Sequence, residues 1–354
     1  MSCFAIGVDL GGTNLRISVV DGDGTLLEKV TTGTQILKGR DFVIDEMCGA
    51  IRTVSAKFQA SLGLMGVGIG VPGIIDKRTG MIRESPNLPG WHNYPVKEEI
   101  ERRLGAPVIL ENDANAAALG ENWLGAARGM DDMCMITLGT GVGGGVVLRG
   151  EIWHGMTGMA GEFGHMTVDP NGPQCGCGNT GCVEQFASAT AVLRMAREAV
   201  AGGRPTEISR LTEGPNVEFT AKAIFNLALE GDLAAKAIFQ KVGWALGILM
   251  GDLVNAFNLH MYVIGGGVSN AWEAFAPTLF DEVRKRSMVY AATAPPSEAE
   301  PKGAAAKITA GPAPKLKQTI ITRALLGSDA GLYGAARLPL LKTDAKARGM
   351  GQTA

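Results

Sequence analysis

Three cysteines and a histidine lie close together in the middle of the sequence. Cys175, Cys177 and Cys182 fall within eight residues, and His165 stands ten residues before the first of them. Three thiolates and one imidazole form a complete tetrahedral ligand set for zinc, without the open position that a catalytic zinc needs. The spacing is not that of a zinc finger, so three free thiols or one reversible disulfide are alternatives. In a reducing compartment, this density of ligands favours a structural zinc site.

Two glycine-rich turns follow apolar strands about one domain apart. Residues 9–14 read Asp-Leu-Gly-Gly-Thr-Asn, and residues 139–141 read Gly-Thr-Gly. Glycines let backbone N–H groups approach phosphate oxygens, and Thr13 adds a hydroxyl donor. Ordinary hairpin turns are the alternative, but the two turns recur in matching contexts. We therefore expect the phosphates of a nucleotide at these residues: Asp9, Gly11, Gly12, Thr13, Asn14, Gly139, Thr140 and Gly141.

Other nucleotide-binding motifs do not fit this sequence. Residues 139–144 match G-x-G-x-x-G, but a dinucleotide fingerprint opens a helix, whereas apolar residues continue here as a strand. The patterns of P-loop proteins and of protein kinases do not occur. Asp9, at the end of its strand, is instead a candidate ligand for Mg²⁺ or for a water bound to it.

A polar run marks the point where an apolar strand meets an alanine-rich helix. Residues 111–115 read Glu-Asn-Asp-Ala-Asn, at the sheet edge where α/β proteins bind ligands. Asp113 is a candidate general base for a hydroxyl that receives a phosphoryl group. Asn112 could hydrogen-bond a polyol. Capping of the following helix is the alternative role for both residues.

Further polar side chains could bind sugar hydroxyls. Glu162 precedes His165 by three residues, and Glu184 follows the last cysteine of the cluster. A carboxylate can accept two vicinal hydroxyls at once, which suits a sugar. Asn87 offers an amide in a loop that also holds Trp91. Each polar residue could instead be a solvated surface side chain, and Trp91 could pack in the core.

Composition and charge exclude several classes of protein. The 354 residues include 33 basic and 35 acidic ones, a formal net charge of −2, so no basic field attracts nucleic acid or anionic lipid. The sequence contains no uninterrupted apolar run of about 18 residues, so no transmembrane helix is predicted. The N-terminus lacks the pattern of a signal peptide. We therefore expect a cytoplasmic protein without a nucleic-acid or membrane partner.

The order of predicted elements indicates two related α/β halves. Each half begins with a strand, a glycine turn and a second strand, from Phe4 and again from Cys134. Apolar spacing predicts a helix over about 41–63. A later strand runs into Gly265–Gly267 and a further helix. Residues 291–317 hold almost no large apolar side chains, which is typical of an insertion or linker. A cleft between two copies of one α/β unit is the expected architecture.

Taken together, these motifs resemble the ROK family of sugar kinases, over nearly the whole chain. The matching segments are the first phosphate motif at 9–13, the connecting segment at 70–76, the catalytic segment at 110–115, the second phosphate motif at 138–144, the zinc and sugar signature between 162 and 184, and the adenosine-side loop at 265–267. The resemblance implies a two-domain, actin-like ATPase fold of the ribonuclease-H-like type. Its domains would be residues 1–112 with about 328–345, and residues 113–327.

The resemblance also implies an activity, which is ATP-dependent phosphorylation of a hexose hydroxyl, usually at carbon 6. Asp113 would receive the hydroxyl proton. The implied sugar ligands are Asn87, Asn112, Asp113, Glu162, His165 and Glu184, and the implied adenosine-side residues are Gly265, Gly266 and Gly267. One ring nitrogen of His165 would bind zinc and the other the sugar. The implied cofactors are ATP, Mg²⁺ and structural Zn²⁺, and the implied assembly is a homodimer or homotetramer.

The residues after Cys182 resemble the glucokinase branch of the family, which favours the 6-hydroxyl of D-glucose. Kinases of N-acetylmannosamine, N-acetylglucosamine or fructose are alternatives in the same family. A sugar-binding regulator without turnover is an alternative of a different class, against which Asp113 and both phosphate loops argue. The repressors of the family carry an added N-terminal helix-turn-helix, for which residues 1–8 leave no room. The insertion at 291–317 departs from the family pattern.

Overall fold

Two five-stranded sheets organise this computed structural model, which describes residues 3–85, 87–203, 205–212, 218–295 and 318–347. The chain divides into two units. The first consists of Met1–Asp131, Gly145–Gly161 and Ser328–Ala354, and the second of Asp132–Gly144 and Glu162–Gly327.

The first unit contains a mixed sheet in the order β3-β2-β1-β4-β7. Its strands are β1 (Cys3–Leu10), β2 (Asn14–Asp21), β3 (Leu26–Gly33), β4 (Gly63–Val71) and β7 (Val108–Asn112), and a separate hairpin pairs β5 (Ile74–Asp76) with β6 (Met81–Glu84). The first three strands are antiparallel neighbours, whereas β1, β4 and β7 run parallel. Parallel strands end at one edge of a sheet, so the turn after β1 and the residues after β7 leave the sheet on the same side.

In the described part of the first unit, four segments are α-helical: α1 (Arg40–Ala56), α2 (Val96–Leu104), α3 (Asp113–Trp123) and α11 (Ala330–Ala347). The short strand β10 (Glu151–Ile152) also lies in this unit. Helix α1 buries Ile44, Met47 and Ile51, which the helical spacing of the sequence places on one face. It ends at Ala56 and not at the predicted residue 63, since turn residues follow it and Gly63 already belongs to β4.

Helix α11 packs closely on α3 and on the sheet, because glycines remove the side chains between them. A Cβ on Gly334 would lie 1.6 Å from the carbonyl oxygen of Ala116, and one on Gly68 would lie 1.8 Å from that of Ala335. Backbone thus meets backbone at both contacts. The C-terminal helix is therefore an integral part of the first unit.

This packing bears on the predicted domain boundary between residues 112 and 113. Helix α3 lies in the first unit together with α11, and residues 145–161 do so as well. The sequence-based division assigned α3 and residues 145–161 to the domain 113–327. The two divisions differ because the predicted boundary follows a sequence motif, and a motif does not show which helices pack on each other.

The second sheet has the strand order β10-β9-β8-β11-β12. Strand β9 (Val142–Leu148) passes from the second unit into the first at Gly145, and β8 (Met133–Leu138), β11 (Met261–Gly265) and β12 (Ile320–Arg323) run parallel. The helices of the second unit are α4 (Glu184–Ala187), α5 (Ala189–Ala201), α6 (Ile208–Thr212), α7 (Ala221–Glu230), α8 (Leu233–Phe257), α9 (Trp272–Arg286) and α10 (Met288–Thr293). The alternation of strands and helices agrees with the predicted α/β class.

Among the residues that the structure describes, one helix, α8, has the length and composition to span a membrane. Its most apolar window is 67% buried inside the protein. It contacts α9 at Gly243, where a Cβ would lie 2.3 Å from the carbonyl oxygen of Phe275. Such burial is typical of the central helix of a core. Of the predicted insertion, 291–317, the first three residues end α10, and 296–317 lie outside the described residues.

A buried carboxylate stands where β7 passes into α3. Glu111 is 2% exposed, and its Oε2 accepts hydrogen bonds from Lys77 Nζ at 2.6 Å and from His154 Nε2 at 2.7 Å. Its Oε1 accepts from the backbone N–H of Asn112 at 3.0 Å and from Asn115 Nδ2 at 3.2 Å. Four donors thus satisfy one buried carboxylate at the start of α3.

The surroundings of Glu111 act on its pKa in opposite directions. Burial raises the pKa of this carboxyl, but the hydrogen bond from His154 and the charge of Lys77 outweigh it and hold the pKa below its ordinary value. A lowered pKa in the folded state stabilises the fold above the pKa of the unfolded chain, about 4.3. This contribution is lost as the pH falls through the lower, folded-state pKa.

We expect Lys77→Met to lower the free energy of unfolding by about 1–3 kcal/mol at pH 7, because it leaves the buried Glu111 without its ammonium partner. Urea unfolding at several pH values measures the effect. The difference from wild type should shrink as the pH falls through the Glu111 pKa of the variant, which burial raises once the Lys77 charge is gone, because a protonated Glu111 no longer needs an ammonium partner.

Lys97→Met is the matched control, because Lys97 faces Glu101 at 4.0 Å in an exposed pair on α2. Its loss should change the unfolding free energy by less than about 0.5 kcal/mol. Equal effects of the two variants would contradict the stabilising role of Lys77.

Candidate active site and metal centre

The predicted base, Asp113, and the predicted sugar ligand, Asn112, lie at the start of helix α3. Asn112 caps the helix, since its Oδ1 accepts from the backbone N–H of Ala114 at 2.9 Å and of Asn115 at 3.2 Å. Its Nδ2 donates to the carbonyl of Gly73 at 3.4 Å. Asp113 is exposed on the first turn, and its Oδ1 accepts from Ala114 N–H at 2.9 Å. The capping alternative therefore describes Asn112, while Asp113 offers a carboxylate to solvent.

The first glycine turn lies against the loop that holds Asn87. Gly11 N–H donates to the carbonyl of Asn14 at 2.9 Å and closes the turn. A Cβ on Gly12 would lie 3.2 Å from the carbonyl oxygen of Asn87. The side chains of Thr13 and Asn14 are exposed. The first unit thus brings one predicted phosphate loop next to one predicted sugar ligand.

Asp9 has a cationic partner that the sequence analysis did not identify. Its Oδ2 forms an ion pair with Arg16, which stands directly opposite it in the register of β1 and β2. Arg16 also lies 3.9 Å from a carboxylate oxygen of Asp329. Burial raises the pKa of Asp9, and the charge of Arg16 opposes that rise. The hairpin spacing would have revealed this pair, because residues equidistant from a tight turn face each other.

The second glycine loop contacts a predicted sugar ligand in the second unit. The backbone N–H of Val142, next to Gly141, donates to Oε2 of Glu184 at 3.0 Å. The turn at Gly265–Gly267 approaches the end of β8, where a Cβ on Gly266 would lie 2.4 Å from the carbonyl oxygen of Leu138. Both turns predicted to bind nucleotide in this unit therefore flank the carboxyl end of one strand.

His165, Cys175, Cys177 and Cys182 converge in the second unit, with all four ligand atoms within 4.8 Å of one another. Sγ of Cys177 lies 3.7 Å from Sγ of Cys182, and Sγ of Cys175 lies 3.7 Å from Nδ1 of His165. Zn–S bonds of about 2.3 Å in a tetrahedron place two sulfurs about 3.8 Å apart. The separation is far too long for a disulfide, and the donor set fits zinc.

The two ring nitrogens of His165 face different groups. Nδ1 points to the cysteines, whereas Nε2 lies 4.0 Å from a carboxylate oxygen of Glu162. Asn179 supports the cluster by donating from Nδ2 to Sγ of Cys182 at 3.4 Å. This loop therefore combines a metal ligand set with a carboxylate on the other side of the imidazole.

The predicted site residues fall into two groups, each of which the structure brings together within one unit. The first unit holds Asp9, Gly11, Gly12, Thr13, Asn14, Asn87, Asn112 and Asp113, and the second holds Gly139, Thr140, Gly141, Glu162, His165, Cys175, Cys177, Cys182, Glu184, Gly265, Gly266 and Gly267. Lys77 and His154, which bind Glu111, were missed by sequence reasoning. They stand 34 and 43 residues from Glu111, so no local spacing connects them.

Comparisons with known proteins extend over almost the whole chain. A glucokinase of Thermotoga maritima is 43% identical over 285 residues, which are 80% of this chain and 87% of that protein. A xylose repressor of Caldicellulosiruptor bescii is 33% identical over 80% of this chain and 71% of its own length.

A solved structure has a similar fold. It is a ROK family glucokinase from Streptomyces griseus in complex with glucose and AMPPNP, with a TM-score of 0.72 and 33% sequence identity, and the match covers 95% of this chain and 98% of that one. The sequence pattern of the ROK family matches residues 5–340 of this chain. The two glycine turns, the Asn112–Asp113 dipeptide and the Cys₃His cluster thus stand in a chain that belongs to the ROK family.

Proposed function

We propose that this protein is an ATP-dependent glucokinase, which transfers the terminal phosphoryl group of ATP to the 6-hydroxyl of D-glucose. The observation that carries the proposal is the 43% identity with a glucokinase over 80% of the chain. The complex of a relative with glucose and AMPPNP, an analogue of ATP, supports the same pair of substrates.

In this proposal Asp113 is the general base. As the bond between the 6-oxygen and the γ-phosphorus forms, the bond to the bridging oxygen of ADP breaks, and the hydroxyl proton passes to the Asp113 carboxylate. The exposed position of Asp113 on the first turn of α3 leaves it accessible to a substrate hydroxyl. The hydrogen bonds of Asn112 and Glu111 fix that turn.

The sugar hydroxyls would be held by Asn87, Asn112 and Asp113 of the first unit and by Glu162, His165 and Glu184 of the second. Carboxylates and amides of this kind accept or donate to vicinal hydroxyls. The distance between Glu162 and His165 supports a shared role, because one hydroxyl can bridge the two side chains across 4.0 Å.

The phosphates would be bound at the turns 11–14 and 139–141, through backbone N–H groups other than those of Gly11 and Gly139, which close their own turns. The adenosine would be bound by residues 265–267. When bound with ATP, Mg²⁺ supplies charge neutralisation at the phosphates. Asp9 would hold the ion or its water through Oδ1, since Oδ2 is bound to Arg16. Zinc would be held by His165 and the three cysteines, and it would fix the segment that carries Glu184.

We place the protein in the cytoplasm, where a Cys₃His ligand set stays reduced, as a homodimer or homotetramer. Sedimentation velocity of the purified protein tests the assembly, and a monomer at micromolar concentration would contradict that part.

A panel of sugars tests the substrate. Glucose-dependent release of ADP, with kcat/KM for glucose clearly above that for mannose, fructose, N-acetylglucosamine and N-acetylmannosamine, is the expected result. A preference for an acetylated sugar or for fructose would retain the chemistry and change the substrate. The similarity to a xylose repressor gives the second candidate, a sugar-binding regulator, which binding of a sugar without release of ADP would favour.

Asp113→Asn should lower kcat by about 10²–10⁴-fold, because the amide cannot accept the hydroxyl proton. Binding of AMPPNP, measured by calorimetry, should stay close to wild type. Asp281→Asn is the matched control, since Asp281 is an exposed carboxylate on α9. If Asp113→Asn retained the turnover of that control, Asp113 would not be the base.

The purified protein should contain one zinc per chain, as measured by elemental analysis. Cys177→Ser should lose most of this zinc, melt at a lower temperature and bind glucose more weakly, because the loop with His165 and Glu184 loses its anchor. Cys3→Ser, outside the cluster, should keep the metal. Full zinc content in Cys177→Ser would exclude Cys177 as a ligand.

A further inference from the structure

Three hydrogen bonds join the loop at 139–142 to one short segment, residues 184–190. Val142 N–H donates to Glu184 Oε2 at 3.0 Å, and Ala189 N–H donates to the Gly139 carbonyl at 2.8 Å. The hydroxyl of Thr190 donates to the Thr140 carbonyl at 2.8 Å. Two consecutive carbonyl groups of the loop are therefore directed towards the start of α5.

The direction of these carbonyls determines the direction of the N–H groups. In a trans peptide unit the C=O and the following N–H point to opposite sides. When Ala189 binds the Gly139 carbonyl, the N–H of Thr140 faces away from α5. When Thr190 binds the Thr140 carbonyl, the N–H of Gly141 faces away as well. Neighbouring N–H groups that point to one side form the kind of concavity that binds phosphate oxygens.

Contact between the loop and the segment is tight. A Cβ on Gly141 would lie only 2.4 Å from Oε2 of Glu184. The segment itself is rigid at this point, because the Ser188 hydroxyl donates to the Glu184 carbonyl at 2.8 Å and accepts from Ala191 N–H at 3.0 Å. Ser188 thereby caps α5 and fixes Thr190 in its first turn.

We propose that Thr190 is a positioning residue for phosphoryl transfer, whose hydroxyl holds the Thr140 carbonyl so that the Gly141 N–H is directed at the phosphates of ATP. This inference rests on the proposed kinase function. Thr190 does not itself touch the nucleotide, and it acts through the backbone of the loop. Glu184 also positions this loop, because its Oε2 accepts a hydrogen bond from the Val142 N–H. The same side chain is a proposed sugar ligand.

The segment 184–190 follows the metal cluster closely in sequence. Cys182 precedes Glu184 by two residues, so nine residues, 182–190, contain a zinc ligand, a sugar ligand and the loop anchors. A structural role of Thr190 in α5 would affect folding and sugar binding alike. A positioning role would affect the nucleotide alone, and this difference can be measured.

Thr190→Val removes the hydroxyl and keeps the shape of the side chain. We expect the dissociation constant of Mg·AMPPNP, measured by calorimetry, and the KM for ATP to rise about 3- to 10-fold, the effect of one hydrogen bond. The affinity for glucose and the melting temperature should stay unchanged. Thr190→Ser, which retains the hydroxyl, should restore both nucleotide values.

Thr53→Val is the matched control, because its exposed hydroxyl also donates to a backbone carbonyl, that of Gly49 at 2.9 Å, but within α1. Nucleotide affinity in Thr190→Val equal to that of Thr53→Val would overturn the inference, as would a parallel loss of glucose affinity and melting temperature. Absence of glucose-dependent ADP release from the wild type would instead contradict the proposed function. The calorimetric comparison still decides the role of Thr190 in that case.

Discussion

A carboxylate buried at the junction of a strand and a helix must be compensated, and the arrangement of the first unit around β7 and α3 depends on this constraint. Glu111 is almost inaccessible to water, so its charge needs partners that only distant parts of the chain provide. Lys77 follows the hairpin strand β5, and His154 follows β10. By meeting one carboxylate they tie two surface segments to the start of α3, directly before the proposed base, Asp113.

In the second unit, by contrast, residues with different proposed roles lie close together in the sequence. One short stretch carries the last cysteine of the proposed metal site, a proposed sugar ligand and the anchors of a proposed phosphate loop. Short stretches of backbone held by hydrogen bonds at both ends are well suited to place N–H groups accurately. The proposed zinc would add a covalent constraint at the beginning of this stretch. Metal, sugar and nucleotide would then be linked through local chain connectivity rather than through a long path across the protein.

Much of this could be predicted from the sequence, because the informative features are local. Glycine turns after apolar strands were predicted from the sequence, and the structure places them after β1 and β8, while their binding of phosphate stays a prediction. The density of cysteines around His165 indicated the metal ligand set that the structure assembles. Features that depend on long-range packing could not be predicted. Lys77 and His154 lie far from Glu111 in sequence, and the close approach of α11 to α3 becomes visible only when Gly334 meets Ala116. The helix after Asp113 was therefore assigned to the other domain. The roles of individual site residues in catalysis stay predictions.

Transfer of a phosphoryl group from ATP to the 6-hydroxyl of glucose is the reaction that we propose for this chain. Phosphorus and carbon NMR of the product formed from ¹³C-labelled glucose, ATP and the purified enzyme identifies the carbon that receives the phosphate. We expect a phosphate ester whose phosphorus couples to carbon 6. A phosphate at another carbon, or unmodified glucose after many expected turnovers, would contradict it.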